Sequence, residues 1–385
     1  MIDDPRIETQ AVHAGEQRPG PEGSVVYPIY QSTVYAVDSG TRYHDLKYLR
    51  LNSTPSQNYL HGKLAALEGA EAAVATSSGM AAITSTLHTL LTEGDHLLVA
   101  DALYGGTHDF LVERAASLGW TYTFIDAQRP ETWEAALTPR TRAIYVETIA
   151  NPVMRVARMP EVVAFAREHG LVSVVDNTFA SPVNYRPVPA GFDIVVHSAT
   201  KYLNGHSDLT AGAIAGSAEI IERVRKTLNL YGGSLDAHTG FLLARGLKTL
   251  ALRVAAQNAN ALALAEFLTA HPKIGAVNYA GLPSHVDHDH AKGFLSGFGG
   301  MLSLRLTGGV DAAEALLAGL TLPFVAPSLG GVESLITFPA RTSHSNMSPE
   351  AREAVGIYDD LIRLSCGIEA AEDLIADFDS ALRKA

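Results

Sequence analysis

The stretch Asp193-Ile-Val-Val-His-Ser-Ala-Thr-Lys-Tyr-Leu-Asn-Gly-His206 joins a short apolar segment to a polar loop. Its first residues, Asp193–Val196, are typical of a buried strand, whereas the residues from Ser198 onward are short of apolar side chains. Open α/β sheets bind their ligands just beyond the carboxyl ends of their strands. The stretch therefore predicts a strand that ends at a ligand site, with Lys201 in the loop.

Other short apolar runs predict more strands of the same sheet. They are Ala73–Thr76, His96–Ala100, Thr121–Ile125, Ala143–Glu147, Val172–Asp176 and Ala211–Ala215. Helical patterns such as Met80–Leu91 and Pro160–Glu168 lie between many of them. Short apolar strands that alternate with helices are typical of a largely parallel sheet covered on both faces. The sequence thus predicts an α/β fold.

The 385 residues of the chain are enough for two or three domains. Residues 1–45 are rich in Pro, Gly and Ser, so we expect an extended N-terminal arm there. Because they lack sustained apolar periodicity, we expect the arm not to pack on its own domain. Residues 46–235 carry the strand–helix alternation. Helix-dominated sequence (Ala237–Phe267) and a second sheet near Met301–Leu306 and Leu361–Ser365 predict a smaller C-terminal α/β domain over residues 236–385.

Composition excludes several classes of protein. The 41 acidic and 29 basic side chains give a net charge of −12, and no Lys/Arg-rich run offsets it, so we expect no nucleic-acid partner. The start is polar, and no apolar run is long enough to cross a bilayer, so we expect no membrane partner. The single cysteine, Cys366, cannot form an internal disulfide. Together these features predict a cytoplasmic protein.

Lys201 lies between two hydroxyls, Ser198 and Thr200. A lysine amine can hold a carbonyl cofactor as a Schiff base, and the hydroxyls can donate hydrogen bonds to a phosphate. A solvated lysine beside two turn residues is the alternative, and this motif alone does not decide between them. Asp176 ends a strongly apolar strand, where an unpaired carboxylate is costly. A protonated pyridine nitrogen would be a suitable partner, whereas a turn or capping aspartate is the alternative.

Two weaker motifs also follow strands. Thr76-Ser-Ser-Gly-Met80 stands between a strand and a helix, where small residues and the helix N-terminus favour a phosphate, although ordinary helix caps look the same. Leu103-Tyr-Gly-Gly-Thr107 places an aromatic ring beside two glycines, where it could lie against a planar cofactor or simply pack in a turn. His285-Val-Asp-His-Asp-His290 matches no common zinc spacing, so we expect no metal.

In this order, the motifs resemble the Cys/Met-metabolism family of pyridoxal-phosphate (PLP) enzymes. The resemblance covers almost the whole chain and rests on these segments: Val12–Gly15, Pro28–Gln31, Leu64–Gly69, Ser78–Met80, Tyr104–Thr107, Glu147–Pro152, Val175–Phe179, Ser198–Tyr202, Ser328–Ser334 and Leu361–Ser365. It implies PLP as cofactor and the fold type I of PLP-dependent transferases, like aspartate aminotransferase, with a mostly parallel seven-stranded sheet.

The resemblance also implies a role for each matching residue. Lys201 would carry the cofactor and move protons, and Tyr104 would stack on the ring and serve catalysis. Arg363 would bind the substrate α-carboxylate, with Ser328 beside it. Cofactor contacts would come from Tyr48, Arg50, Ser78, Gly79, Met80, Asn151, Asp176, Ser198 and Thr200.

Tyr48 and Arg50 match family residues that reach the phosphate of a neighbouring subunit. The resemblance therefore implies a homo-oligomer whose N-terminal arm contacts its neighbour. We expect a dimer with shared active sites that forms a tetramer.

Three positions depart from the family's cystathionine- and methionine-specific patterns, namely Gly106, Asp109 and Pro327. We expect a carbon–sulfur lyase that acts by β- or γ-elimination on a sulfur-containing amino acid, like cystathionine γ-lyase or methionine γ-lyase. The alternative is γ-replacement on an O-acyl-homoserine, as in cystathionine γ-synthase or O-acetylhomoserine sulfhydrylase. An aminotransferase and a non-catalytic PLP-binding regulator are further alternatives.

Overall fold

The computed structural model describes residues 5–385. The first four residues of the predicted arm, including its polar start, lie outside the described residues. Within the described chain, no helix is long and apolar enough to cross a membrane.

Seven strands form the main sheet. They are β1 (Ala72–Thr76), β2 (His96–Ala100), β3 (Thr121–Ile125), β4 (Thr141–Glu147), β5 (Val172–Asp176), β6 (Ile194–His197) and β7 (Gly212–Gly216). Their spatial order is β1-β7-β6-β5-β4-β2-β3, and β7 is antiparallel to both neighbours while the other neighbouring pairs are parallel. The predicted mostly parallel seven-stranded sheet is confirmed, and each predicted strand lies within two residues of the observed one.

Five strands form a second, smaller sheet. They are β8 (Ile274–Asn278), β9 (Met301–Leu306), β10 (Phe324–Val325), β11 (Leu335–Thr337) and β12 (Ile362–Ser365). Their order is β10-β11-β12-β9-β8, with β10 and β11 parallel and the other pairs antiparallel. The apolar runs at Met301 and Leu361 predicted β9 and β12, which are its buried central strands.

Within residues 5–385, fourteen α-helices accompany the sheets. They are α1 (Ile7–His13), α2 (Pro55–Glu68), α3 (Gly79–Leu90), α4 (Gly105–Arg114), α5 (Met159–Glu168), α6 (Ser181–Asn184), α7 (Pro187–Ala190), α8 (Ala218–Tyr231), α9 (Ala237–Leu247), α10 (Leu250–Ala270), α11 (His288–Lys292), α12 (Gly309–Gly319), α13 (Pro349–Ala354) and α14 (Ala371–Lys384). Helices α2, α3, α5 and α8 pack on the main sheet, and α10, α12 and α14 surround the smaller one. The predicted domain division after residue 235 falls just before α9 and stays a prediction.

The arm is not wholly extended. Helix α1 packs against α2 and α10 of the same chain, and Ala11 is buried there. Gly15 follows at positive φ, and a Cβ on it would come within 2.4 Å of the Gly62 backbone in α2. The expectation that the arm cannot pack on its own chain is therefore wrong for α1, because Ile7 and Ala11 pack on the core and Gly15 lies close to Gly62. Beyond Gly15 the arm is mostly irregular.

Candidate active site

The site lies where the parallel strands of the main sheet end. Strands β1, β2, β4, β5 and β6 all finish at one edge, and the antiparallel β7 begins there. A cavity of about 720 Å³ opens at this edge. Eleven of the thirteen predicted site residues line it, and these are Ser78, Gly79, Met80, Tyr104, Asn151, Asp176, Ser198, Thr200, Lys201, Ser328 and Arg363. Residues from seven separate segments thus meet around one cavity.

Tyr48 and Arg50 do not line the cavity of their own chain. Arg50 is exposed, and its Nη1 and Nη2 donate to the Asn229 carbonyl at 3.1 Å and the Tyr43 hydroxyl at 2.8 Å. The Arg50 guanidinium also lies 5.8 Å from the centre of the Tyr48 ring. The chain by itself therefore does not bring these two residues to the other eleven.

Lys201 projects into the cavity from the loop after β6. Its Nζ donates to the Ser328 hydroxyl at 2.8 Å, so the lysine spans from the main sheet to the segment between β10 and β11. Burial, together with the nearby Arg363 guanidinium, lowers the pKa of Lys201 to about 8. Because neutral amine is available near physiological pH, Lys201 can attack a carbonyl carbon.

Asp176 is the last residue of β5 and is 8% exposed. Its Oδ1 accepts the Thr178 N–H at 3.0 Å and the Thr178 hydroxyl, and its Oδ2 accepts the Tyr145 hydroxyl at 3.5 Å. No described lysine or arginine forms an ion pair with it, and burial raises the pKa of Asp176. A buried carboxylate that receives hydrogen bonds but lacks a cation fits a cationic ligand atom.

The start of α3 forms a close cradle at the edge of the cavity. The Ser78 hydroxyl accepts the Ala81 N–H at 3.1 Å and caps the helix, whose first turn directs backbone N–H groups outward. A Cβ on Gly79 would come within 2.8 Å of the Ser198 Cβ. A Cβ on Gly212, at the start of β7, would come within 2.3 Å of the Ser78 carbonyl oxygen. This narrow space suits an anion held by backbone N–H groups and the Ser198 hydroxyl.

The hydroxyl of Thr200 is engaged in hydrogen bonds with the backbone of Ala211. Its hydroxyl donates to the Ala211 carbonyl at 3.1 Å and accepts the Ala211 N–H at 3.0 Å. The backbone N–H of Ser198 donates to the Thr178 hydroxyl at 2.8 Å. The Ser198 side chain lines the cavity. Of the two predicted hydroxyls, Ser198 is thus the freer one to meet a phosphate.

Arg363 reaches the cavity from β12 of the smaller sheet and is 6% exposed. Its Nη1 donates to Asn151 Oδ1 at 3.1 Å and its Nη2 to the Ser328 carbonyl at 2.9 Å, while its Nε is buried without a partner. Burial lowers the pKa of Arg363 to about 10, so the guanidinium stays charged at neutral pH. A charged group with an unused donor is ready for a carboxylate.

Ser328 links the two cations and has an unusual backbone. Its φ is 89°, a left-handed conformation that non-glycine residues rarely adopt and that clusters at functional sites. In this conformation its hydroxyl faces Lys201 while its carbonyl faces Arg363.

Glu147 and Thr178 line the cavity although they were absent from the predicted site. Glu147 ends β4 and is 7% exposed, and its Oε1 accepts the Tyr104 N–H at 2.6 Å. Burial first, and then the neighbouring Asp176, raise the pKa of Glu147 well above its usual range. The signal was available, because Glu147 is a carboxylate at the end of an apolar strand, as Asp176 is.

The three departures from the family pattern also line the cavity. Gly106 lets the Tyr104 ring lie close, since a Cβ there would come within 2.6 Å of the ring. Asp109 accepts the Asn346 side-chain amide at 3.1 Å. Pro327 precedes Ser328 and lines the cavity beside it.

The histidine-rich segment from 285 to 290 is held by other contacts. His288 Nδ1 lies 2.9 Å from the Ala280 carbonyl and His290 Nε2 lies 2.9 Å from the Ala157 carbonyl. Asp287 pairs with Arg155 at 2.7 Å. Over residues 5–385, no group of three or more His, Cys, Asp or Glu side chains is arranged to hold a metal ion.

The donors around the cavity fit PLP. The amine of Lys201, whose pKa is lowered to about 8, suits the aldehyde of the cofactor. The buried carboxylate without a cation suits the pyridinium nitrogen. The narrow space at the start of α3 suits the phosphate. Lys201, Asp176 and the Ser78–Met80 segment with Ser198 would hold these three parts. Tyr104, which is 45% exposed, has an aromatic ring at the same cavity.

Comparison with known proteins agrees with this geometry. The family model described as Cys/Met metabolism PLP-dependent enzyme matches residues 8–383. The chain is 41% identical to L-methionine gamma-lyase of Pseudomonas putida, with 98% of each chain covered, and 41% identical to cystathionine beta-lyase of Lactococcus lactis subsp. cremoris, with 98% of this chain and 99% of that one covered. Cystathionine gamma-lyase from Lactobacillus plantarum, solved in complex with L-serine, has a TM-score of 0.93 at 35% identity, with 98% and 99% covered.

These matches confirm the predicted fold type and the predicted cofactor, since the family is defined as PLP-dependent and the similar structure extends over nearly the whole chain. The chain belongs to the Cys/Met-metabolism family of PLP-dependent enzymes.

Proposed function

We propose that the protein is a PLP-dependent carbon–sulfur lyase that eliminates a thiol from a small sulfur-containing amino acid. The cavity that collects Lys201, Asp176 and Arg363 at one sheet edge is the observation that carries this proposal. The names of the relatives, a methionine γ-lyase, a cystathionine β-lyase and a cystathionine γ-lyase, bear out the predicted lyase chemistry. PLP supplies an electron sink that stabilises negative charge at the substrate Cα.

Arg363 binds and orients the substrate. Its unpaired Nε and the remaining N–H groups of its guanidinium can meet both oxygens of an α-carboxylate. The guanidinium itself is held by Asn151 and by the Ser328 carbonyl. A substrate bound in this way has its Cα directed into the cavity that Lys201 enters.

Lys201 and Tyr104 move protons. With a pKa of about 8, the Lys201 amine can take a proton at Cα and return it to another carbon. Burial, followed by the negative charge of Asp176, raises the pKa of Tyr104, so its hydroxyl is protonated at neutral pH. A protonated phenol at the cavity can give a proton to a departing sulfur. Asp176 keeps a negative charge at the floor of the site.

A product screen tests the proposed reaction. Holoenzyme is incubated with methionine, homocysteine, cysteine, cystathionine and O-acyl-homoserines, with and without a thiol acceptor, and with the Lys201→Ala variant as control. We expect ammonia and a 2-oxo acid from at least one sulfur amino acid without any acceptor. A new thioether that forms only with the acceptor would instead identify γ-replacement and overturn the proposed elimination.

We further propose that the protein is a homo-oligomer with shared sites. Arg50 is exposed and lies outside its own cavity, and the arm displays Val25, Val34 and Val37 at 93%, 68% and 56% exposure. Apolar side chains this exposed favour burial against another subunit. In such an assembly, the guanidinium of Arg50 would reach a neighbour's phosphate, with Tyr48 beside it.

Mixing two inactive variants tests the shared site. Lys201→Ala and Arg50→Ala homomers should each be nearly inactive, whereas hybrids refolded together should regain activity, because one interface site receives both intact residues. Inactive hybrids from variants that still assemble would place both residues in one chain's site. The predicted cytoplasmic location stays a prediction, which the single, buried Cys366 supports.

A further inference from the structure

Glu147 and Asp176 are two buried carboxyl groups on neighbouring strands. They are register partners at the ends of the parallel strands β4 and β5, so their side chains leave the sheet on the same face. Neighbouring strands are only about 4.8 Å apart. Both residues line the same cavity, and Glu147 and Asp176 are 7% and 8% exposed.

The two carboxyl groups have different hydrogen-bond partners. Asp176 accepts three hydrogen bonds, from the N–H and hydroxyl of Thr178 and from the hydroxyl of Tyr145. Glu147 accepts the backbone N–H of Tyr104 at 2.6 Å. Among the described residues neither carboxyl group has a lysine, arginine or histidine in ion-pair contact. Holding two adjacent buried carboxylates ionised is unfavourable, so one of them keeps a proton.

The proton belongs on Glu147. Asp176 has more donors to stabilise its anion, and the pyridinium nitrogen of the cofactor would add a cation beside it. The other titratable and charged groups around this pair are Tyr145 on β4, Tyr104 before α4, Asp109 on α4, His197 at the end of β6, Lys201 after β6 and Arg363 on β12. Burial raises the pKa of both carboxyl groups, and the hydrogen bonds from Thr178 act against this rise at Asp176, which agrees with this assignment.

Glu147 also determines where Tyr104 lies. Tyr104 is the N-cap residue of α4, and its side chain makes no capping hydrogen bond to the helix. The carboxyl group of Glu147 is the side chain that accepts its backbone N–H. The contact joins the end of β4 to the segment after β2 and thereby fixes the aromatic ring at the cavity.

We propose that Glu147 is a positioning residue that stays protonated in the working enzyme, anchoring Tyr104 while leaving Asp176 as the single negative charge beneath the cofactor ring. This inference rests on the proposed roles of Tyr104 and Asp176. It predicts that a neutral isostere preserves the function of residue 147, whereas loss of the side chain does not.

Three variants separate these roles. Glu147→Gln keeps an acceptor for the Tyr104 N–H but cannot ionise, Glu147→Ala removes the acceptor, and Glu134→Ala changes an exposed glutamate outside the cavity as a control. The affinity of each apoprotein for PLP is measured by absorbance titration. We expect Glu147→Gln to stay within about threefold of the wild type and Glu147→Ala to bind roughly tenfold more weakly, since a buried N–H loses its acceptor.

Infrared difference spectra of the holoenzyme read the protonation state directly. Wild type minus Glu147→Gln should show a protonated carboxyl band at neutral pH. A carboxylate band in its place, or a Glu147→Gln variant that binds PLP as poorly as Glu147→Ala, would overturn the proposal. If Glu147→Ala does not fold, the infrared band still decides it, as does a PLP affinity of Glu147→Gln that falls roughly tenfold below the wild type. Failure of the proposed function is seen separately, as a wild type that carries no pyridoxyl group on Lys201 after reduction.

Discussion

Replacing Arg363 by lysine tests how the substrate is held. The guanidinium uses Nη1 for Asn151 and Nη2 for the Ser328 carbonyl, so its fixed plane leaves Nε and further N–H groups for a carboxylate. A lysine ammonium keeps the charge but donates from a single atom. It cannot satisfy Asn151 and Ser328 while also meeting two carboxylate oxygens.

The loss can be estimated from one charged hydrogen bond. Such a bond contributes about 2–3 kcal/mol, which corresponds to a rise of about 30- to 150-fold in KM. Because Arg363 is proposed to bind the substrate and not the phosphate of the cofactor, the affinity for PLP should change little. Steady-state release of the 2-oxo acid gives KM and kcat, and an absorbance titration gives the cofactor affinity.

Arg305→Lys is the matched control. Arg305 is on the adjacent strand β9, pairs with Asp360 at 2.8 Å and lies outside the cavity. It should leave KM close to that of the wild type. A KM for Arg363→Lys within threefold of the wild type would mean that the α-carboxylate is bound elsewhere, and the assignment of Arg363 would be withdrawn.

Three further outcomes are expected. Borohydride reduction, digestion and mass spectrometry should place the pyridoxyl group on the peptide that contains Lys201, and a label on another lysine would contradict its role. Asp176→Asn should retain PLP but slow the exchange of the substrate Cα proton with D₂O by roughly 100-fold, because a buried charge loses its partner. Exchange at the wild-type rate would refute the role of the carboxylate. The rate at which apoprotein captures PLP should rise with pH, reach half its maximum near pH 8 and level off above it, because only the neutral amine attacks and the pKa of Lys201 is lowered to about 8. A rate that keeps rising beyond pH 10 would indicate an unperturbed lysine.

Local sequence predicted the main sheet well because its strands are short apolar runs with polar ends. A residue such as Asp176 could be placed at the carboxyl edge from its position in such a run alone. The same reasoning would have identified Glu147 as a further cavity residue. The sequence showed a carboxylate at the end of an apolar strand there too, but this position was not considered for the site.

Long-range contacts were beyond local patterns. Arg363 and Asn151 are 212 positions apart, and nothing near either residue in the sequence indicates that the smaller sheet brings them together. The left-handed backbone of Ser328 is likewise set by its two tertiary contacts, with Lys201 and Arg363. The prediction for the arm was wrong at α1, where two apolar residues, Ile7 and Ala11, pack on the core in a helix too short to show a sustained pattern.

The reversed strand β7 limits which sequences this fold can accept. Gly212 enters the sheet beside Ser78, where any Cβ would overlap the carbonyl oxygen at the start of α3. Gly40, by contrast, faces open space. Within the chain, a side chain at position 40 would therefore meet no other atom, whereas a change at Gly212 would first require the start of α3 to move. The active site thus depends in part on a glycine that carries no reactive group.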